Sequence, residues 1–184
     1  MRTRLVPWAL LAALLFSPAL AIASAKAPAQ ASLIADSQGF VPGQSFTVAL
    51  RLALDPGWHT YWKDPGDAGL ATTIKFTLPP GVRAGDPQWP KPQVFKAAGD
   101  LTCYGYEGTA MLLVPIIVDP DYTGTSLTLQ AKATWLVCKA ICLPGKASVS
   151  LKLRRQKALE PSAKAALFAK LKPSLGQPPD GYHP

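Results

Sequence analysis

Between residues 31 and 153 the chain repeats one pattern: apolar and polar residues alternate briefly, then proline or glycine stops the run. In Ser45–Leu54, Phe46, Val48, Leu50, Leu52 and Leu54 share one face, with Thr47, Ala49, Arg51 and Ala53 opposite. Period two is the signature of a half-buried β-strand, whose successive side chains point to opposite sides. Similar runs cover 33–35, 58–62, 72–78, 110–118, 127–137 and 147–153. Pro42-Gly43, Asp55-Pro56-Gly57, Pro79-Pro80-Gly81, Pro120-Asp121 and Pro144-Gly145 separate most of them. Seven or eight short strands so punctuated predict an all-β antiparallel sandwich. No segment here sustains a 3.6-residue period, which excludes a helical domain, and there is no internal repeat.

The 184 residues suit one domain, and 48% hydrophobic with only 16% charged residues excludes a disordered chain. Three cysteines exclude a disulfide-dense miniprotein, and no Cys/His cluster has zinc-finger spacing. Arg2 and Arg4 precede an apolar run from Leu5 to about Ala23, ending in Ala-x-Ala sites. Residues 1–25 are therefore expected to be a signal peptide, an uncleaved anchor being the rival reading. The first 25 residues hold no cysteine for a lipid anchor. Elsewhere no apolar run approaches the ~20 residues of a membrane helix, so no transmembrane span is expected in the mature chain. Export from the cytosol would let a cysteine pair hold a disulfide.

Without Arg2 and Arg4 the chain keeps 17 basic and 11 acidic residues, a charge of +6. Residues 26–151 are nearly neutral, with 10 basic and 9 acidic, whereas 152–184 hold 7 basic and 2 acidic. The basicity thus belongs mostly to the tail. Neither a basic face with a motif nor a nucleic-acid-binding signature appears, so no nucleic-acid partner is expected. The tail reads as a solvated linker, with an anionic membrane surface as the alternative. Three segments follow: 1–25, a sandwich over 26–154, and a basic tail over 155–184. Within the tail, 161–171 predicts a short helix with Leu167, Phe168 and Leu171 on one side, and residues from Gly176 onward are expected to be loose. Residues 83–107 include Pro87, Pro90 and Pro92 and read as a long loop carrying Trp89 and Phe95, a lid or binding loop.

Cys138 and Cys142 end one alternating run and begin another. Leu127, Leu129, Ala131, Ala133, Trp135 and Val137 share core parity; Cys138 falls with Thr128, Gln130, Lys132 and Thr134 on the polar face. Cys138 is thus expected to emerge at the strand's end, outside the sandwich. In the chain-entropy model a bridge closing five residues stabilises by only about 2 kcal/mol, against roughly 3.8 kcal/mol for a Cys103–Cys138 bridge closing about 36. A weak staple suits cycling between dithiol and disulfide, provided one sulfur can be reached. Lys139 is an adjacent cation able to favour a thiolate. On spacing alone, redox exchange, a static disulfide and metal binding all stay open. Copper(I) delivery is the competing chemistry, with Cys138, Cys142 and either His59 or Cys103 as soft-metal ligands. A non-catalytic interaction module whose disulfide pins a hairpin is the third reading.

Four segments occur together and in order: Gly57-Trp-His-Thr-Tyr-Trp-Lys-Asp-Pro-Gly-Asp-Ala-Gly69, Gln88-Trp-Pro90, Tyr104-Gly-Tyr-Glu-Gly108 and Trp135-Leu-Val-Cys-Lys-Ala-Ile-Cys-Leu-Pro144. Over about residues 30–154 the chain resembles the periplasmic amino-terminal domain of DsbD-type thiol:disulfide interchange proteins, especially the ScsB-like branch. The resemblance implies an immunoglobulin-like sandwich and one reversible disulfide, Cys138–Cys142, with no cofactor. That disulfide would pass electrons from a membrane-embedded thiol electron transporter to periplasmic thioredoxin-fold proteins. It implies Cys142 as the sulfur that forms the mixed disulfide and Cys138 as the one that resolves it. It also implies a shielding cap and nearby aromatics, mapped onto the Trp89–Phe95 loop, His59 and Tyr61, with Tyr104, Tyr106 and Lys139 completing the surroundings. Two features depart from the family pattern: the chain stops after a short tail, and Cys103 precedes Tyr-Gly-Tyr. Cys103 reads as an idle thiol, a second exchange partner or a metal ligand. Trp58, Trp62 and Trp135 read as core, His59 as a partly buried ring or a group near the thiols, Glu107 as a strand-end charge or proton acceptor, and His183 as inert.

Overall fold

The strands end at four of the five predicted turns, but Pro144-Gly145 runs inside a strand, paired with Leu136 and Trp135, and there are more strands than predicted. The computed structural model describes residues 27–97 and 99–182; the expected signal peptide and His183 lie outside these. The described residues form eleven strands. They are β1 (Ala29–Ala35), β2 (Gly39–Phe40), β3 (Ser45–Leu54), β4 (His59–Gly66), β5 (Thr73–Thr77) and β6 (Val82–Ala84). Then come β7 (Gln93–Lys96), β8 (Thr102–Glu107), β9 (Thr109–Val118), β10 (Ser126–Cys138) and β11 (Cys142–Arg155), followed by one short helix, α1 (Ala165–Leu171).

Two sheets face each other, in the order β1-β3-β9-β6 and β2-β11-β10-β4-β8-β7. β4 and β5 share one edge of β10: β5 pairs with residues 130–134, and β4 with Val137 and Cys138 only. The architecture is an immunoglobulin-like sandwich with a short C-terminal helix. Parity sets the core as the sequence predicts. All six odd residues of β10 from Leu127 to Val137 are buried, facing Phe46, Val48, Leu50, Leu52, Leu112, Val114 and Ile116 of the opposite sheet. Each full burial of a valine, leucine, isoleucine or phenylalanine side chain among these stabilises by about 1.5–3 kcal/mol.

Two expectations need correction. Residues 83–107 are not one long loop, because 93–96 pair with 102–105 to make the β7–β8 hairpin at the sheet edge. The tail is not a solvated linker either. Phe168 of α1, 1% exposed, seats on Ala49, Met111 and Leu113, which point away from the core on the outer face of the first sheet. α1 is shorter than predicted, since Ser162 is held in a turn by bonds to Ala35 and Asp36; Leu167 faces solvent. Of the stretch from Gly176 onward, expected to be loose, the described residues are anchored at both Gly176 and Tyr182. Tyr182 packs edge-on against Trp62 and Tyr104, its hydroxyl donates to Asp64 (2.5 Å), and Gly176 N–H donates to the Trp89 carbonyl. That bond holds the Asp64 carboxyl below its usual range and the Tyr182 phenol above its own. Among the described residues no helix is long and apolar enough to cross a membrane.

Candidate functional site

β10 and β11 are a hairpin closed by Lys139, Ala140 and Ile141, with Cys138 and Cys142 as its last opposed pair. Their Cα atoms are 4.1 Å apart and their sulfurs form a disulfide. The two ends of that bond have different surroundings: Cys142 is exposed, whereas Cys138 is 3% exposed. Parity does put Cys138 on the outer face, but the expectation that it emerges there openly is wrong. β4 lies alongside it, and the Tyr61 ring leans across, donating its hydroxyl to Cys138 Sγ at 3.0 Å.

Tyr61 is fixed from behind by Gly69. A Cβ at that residue would come within 2.2 Å of the Tyr61 ring, and the backbone there has φ +114°, a conformation that side chains other than glycine's rarely tolerate. Burial pushes the Tyr61 phenol above its ordinary pKa, with Cys103 adding to the effect. The phenol therefore stays protonated and remains a donor.

His59 sits opposite Cys138 on one side and Glu107 on the other. Its half-buried ring meets Tyr61 edge-on and stacks on Phe95, with centroids 5.0 Å apart and planes at 17°. Burial lowers the imidazole pKa and Glu107 opposes the shift. Phe95 comes from edge strand β7, opposite Cys103 of β8. The segment onto which the resemblance maps a cap is thus, at Phe95, one side of a β-hairpin. Phe95 covers the cluster of Tyr61, Cys103 and Cys138.

Three predicted site residues lie elsewhere. Trp89 packs into the core beneath a bridge between Gln88 and Leu113. Tyr104 and Tyr106 have the inward parity of β8: Tyr104 contacts Trp62, and Tyr106, its pKa pushed up by burial, donates to the Pro90 carbonyl at 2.7 Å. Trp62 and Trp135 are core as expected, and Trp58 is half-buried against them. The Lys139 ammonium donates to the Pro56 carbonyl at 3.3 Å.

Cys103 is a free, buried thiol in the same cluster as Cys138. It lies on β8, with β4 and its Tyr61 between it and β10. Alternation within β8 is the sequence signal for this, because Cys103, Gly105 and Glu107 share the outward face with His59 and Tyr61. Among the described residues no group of three or more His, Cys, Asp or Glu side chains could hold a metal ion.

Comparison with known proteins bears on this arrangement. Residues 30–154 match the family "Thiol:disulfide interchange protein DsbD, N-terminal". No curated protein sequence matches. Among solved structures, the N-terminal periplasmic domain of ScsB from Proteus mirabilis aligns with a TM-score of 0.55 at 22% identity. That alignment covers 80% of this chain and 52% of the ScsB chain, so the protein spans about half of that relative's length. The reduced N-terminal domain of Neisseria meningitidis DsbD aligns at 14% identity with a TM-score of 0.41, covering 68% of this chain and 90% of that one. With the sandwich and the hairpin disulfide in view, the match over most of its length means that the chain belongs to the family of DsbD amino-terminal domains of thiol:disulfide interchange proteins.

Proposed function

We propose that the protein is a periplasmic thiol:disulfide exchange carrier, exported by residues 1–25 and working through Cys138 and Cys142. It would accept reducing equivalents from a membrane-embedded thiol transporter and deliver them to thioredoxin-fold or other periplasmic clients. The observation that carries this reading is the asymmetry of the disulfide: Cys142 is an exposed residue, whereas Cys138 is buried with a hydroxyl donor on its sulfur. A thiolate attacks the sulfur it can reach and expels the other. The donor's thiolate thus attacks Cys142 Sγ, the S–S bond breaks, and Cys138 leaves as a thiolate that accepts the Tyr61 hydrogen bond. A second donor thiolate then frees Cys142. In the delivering direction, Cys142 thiolate attacks the client disulfide and releases one client thiolate. Cys138 then attacks Cys142 Sγ and releases the other. His59 and Phe95 keep water and stray thiols from the buried sulfur.

Equilibration of the protein in glutathione buffers tests this. The pair is expected to exchange with the buffer, and a disulfide that stays closed well below about −300 mV is structural and ends the proposal.

Tyr61→Phe keeps the ring and removes the donor. Hydrogen bonds to charged groups contribute about 1.5–3 kcal/mol, so attack by a small thiol on the disulfide should slow roughly ten- to a hundredfold. Stopped-flow reduction of the two proteins measures this; an unchanged rate removes Tyr61 from the mechanism.

A further inference from the structure

The outer face of β5, β10 and β11 carries one kind of chemistry. Register sets Lys132 between Lys75 on β5 and Ser148 on β11, Thr134 between Thr73 and Lys146, and Thr128 beside Lys152. All are exposed, and these three strands contain no aspartate or glutamate. Among the described residues the ion pairs are Arg83–Asp119 and Lys91–Asp180, neither on this face. Lys75 and Lys132 stand directly opposite each other, where like charges destabilise the sheet and an acid at either position would relieve the strain. Toward the disulfide the face changes character. A groove of about 590 Å³ is lined by Leu70, Trp135, Pro144 and Lys146 among others. Leu70 is 65% exposed, and Ile141, beside Cys142, 62%. At about 3.3 Å per residue, Lys146 lies about 13 Å along β11 from Cys142, and Lys132 about 20 Å along β10 from Cys138.

We infer that this face docks the exchange partner, and that the partner is a protein whose cysteine is bordered by apolar residues and, beyond them, by carboxylates. The inference rests on the exchange reading above. Apolar side chains beside an exposed sulfur form the centre of such an interface, and the unpaired lysines form its charged flank. The covalent step remains attack by Cys142 thiolate on the partner's disulfide, with release of one partner thiolate.

Three peptides probe it. Each holds one cysteine as a mixed disulfide with 2-thiopyridine, flanked by leucines and then by glutamates, serines or lysines; the reduced protein liberates 2-thiopyridone. At low salt the glutamate peptide is expected to react roughly tenfold faster than the serine peptide, and the lysine peptide slower still. At about 0.5 M salt the three rates converge. K132E/K146E brings the glutamate-to-serine ratio to about one. K75E turns a like-charged pair into an opposite one, so its Tm rises while its glutamate preference falls; a lysine serving only the fold would not lose that preference. Equal rates for glutamate and lysine peptides overturn the inference, as does a preference untouched by K132E/K146E. Retention on phosphatidylglycerol vesicles without a glutamate preference also overturns it, in favour of a membrane surface. Release from none of the peptides strikes down the exchange reading itself.

Discussion

Replacing Cys142 by serine is expected to abolish exchange, whereas replacing Cys138 by serine leaves an attacking sulfur and stalls the protein as a mixed disulfide. The difference follows from access. With Cys142 gone, the remaining cysteine at the hairpin end, Cys138, is 3% exposed and its sulfur accepts the Tyr61 hydroxyl. A client disulfide must bring its sulfur into line with the attacking thiolate, and Phe95, His59 and Tyr61 occupy that approach. With Cys138 gone, Cys142 still stands in solvent, but no second thiol resolves the product. Cys103 is no substitute, because β4 separates its strand from β10. Both variants should remain folded: the five-residue bridge contributes only about 2 kcal/mol, and the thirteen register pairs from Ser126↔Arg154 to Cys138↔Cys142 hold the hairpin without it. Incubation with a disulfide-bonded client, acid quenching and non-reducing electrophoresis read the outcome. Trapping by Cys142→Ser rather than by Cys138→Ser would reverse the assignment of the two sulfurs.

What one strand can report about itself was legible in the residues. Alternation in β3 and β10 gave their inward faces, and the spacing of Cys138 and Cys142 about a short turn gave the hairpin that carries the disulfide. What depends on which strand lies beside which was not. Cys138 has the polar-face parity of Lys132 and Thr134, yet it is buried because β4 reaches β10 only at its last two residues and brings Tyr61 there. Nothing within β10 encodes that neighbour. β7 was invisible for the same reason: four residues behind Pro92 become a strand only by pairing with β8. Its consequence is that Phe95, not Trp89, packs against Tyr61, Cys103 and Cys138. Tyr104 and Tyr106 were readable and misread. The motif they belong to drew them into the site, although their even parity in β8 sends them to the core, while Cys103, Gly105 and Glu107 take the outward face.

The largest effect on stability is expected at a residue far from the disulfide. Phe168 is 1% exposed on the outer face of the first sheet, where Ala49, Met111 and Leu113 would otherwise meet water. Those residues break the alternation of β3 and β9, because both faces of these strands are buried. Composition gave the tail the look of a linker, since lysines crowd around its few apolar side chains and only docking distinguishes Phe168 from Leu167. Phe168→Ala removes a buried ring and leaves a cavity between helix and sheet, a change that costs about 3–5 kcal/mol. For a domain of this size that corresponds to a fall in Tm of roughly 6–20 °C. Leu167→Ala, one position along and facing solvent, should change stability by no more than about 0.5 kcal/mol. Thermal unfolding of the two variants decides whether the tail belongs to the fold: equal, small shifts would mean a tail lying loosely on the sheet. Because the disulfide sits on the opposite sheet, Phe168→Ala should leave its equilibrium with glutathione where it was at temperatures below the transition. Stability and exchange then separate by sheet, with the first held from the tail side and the second carried at the end of the β10–β11 hairpin.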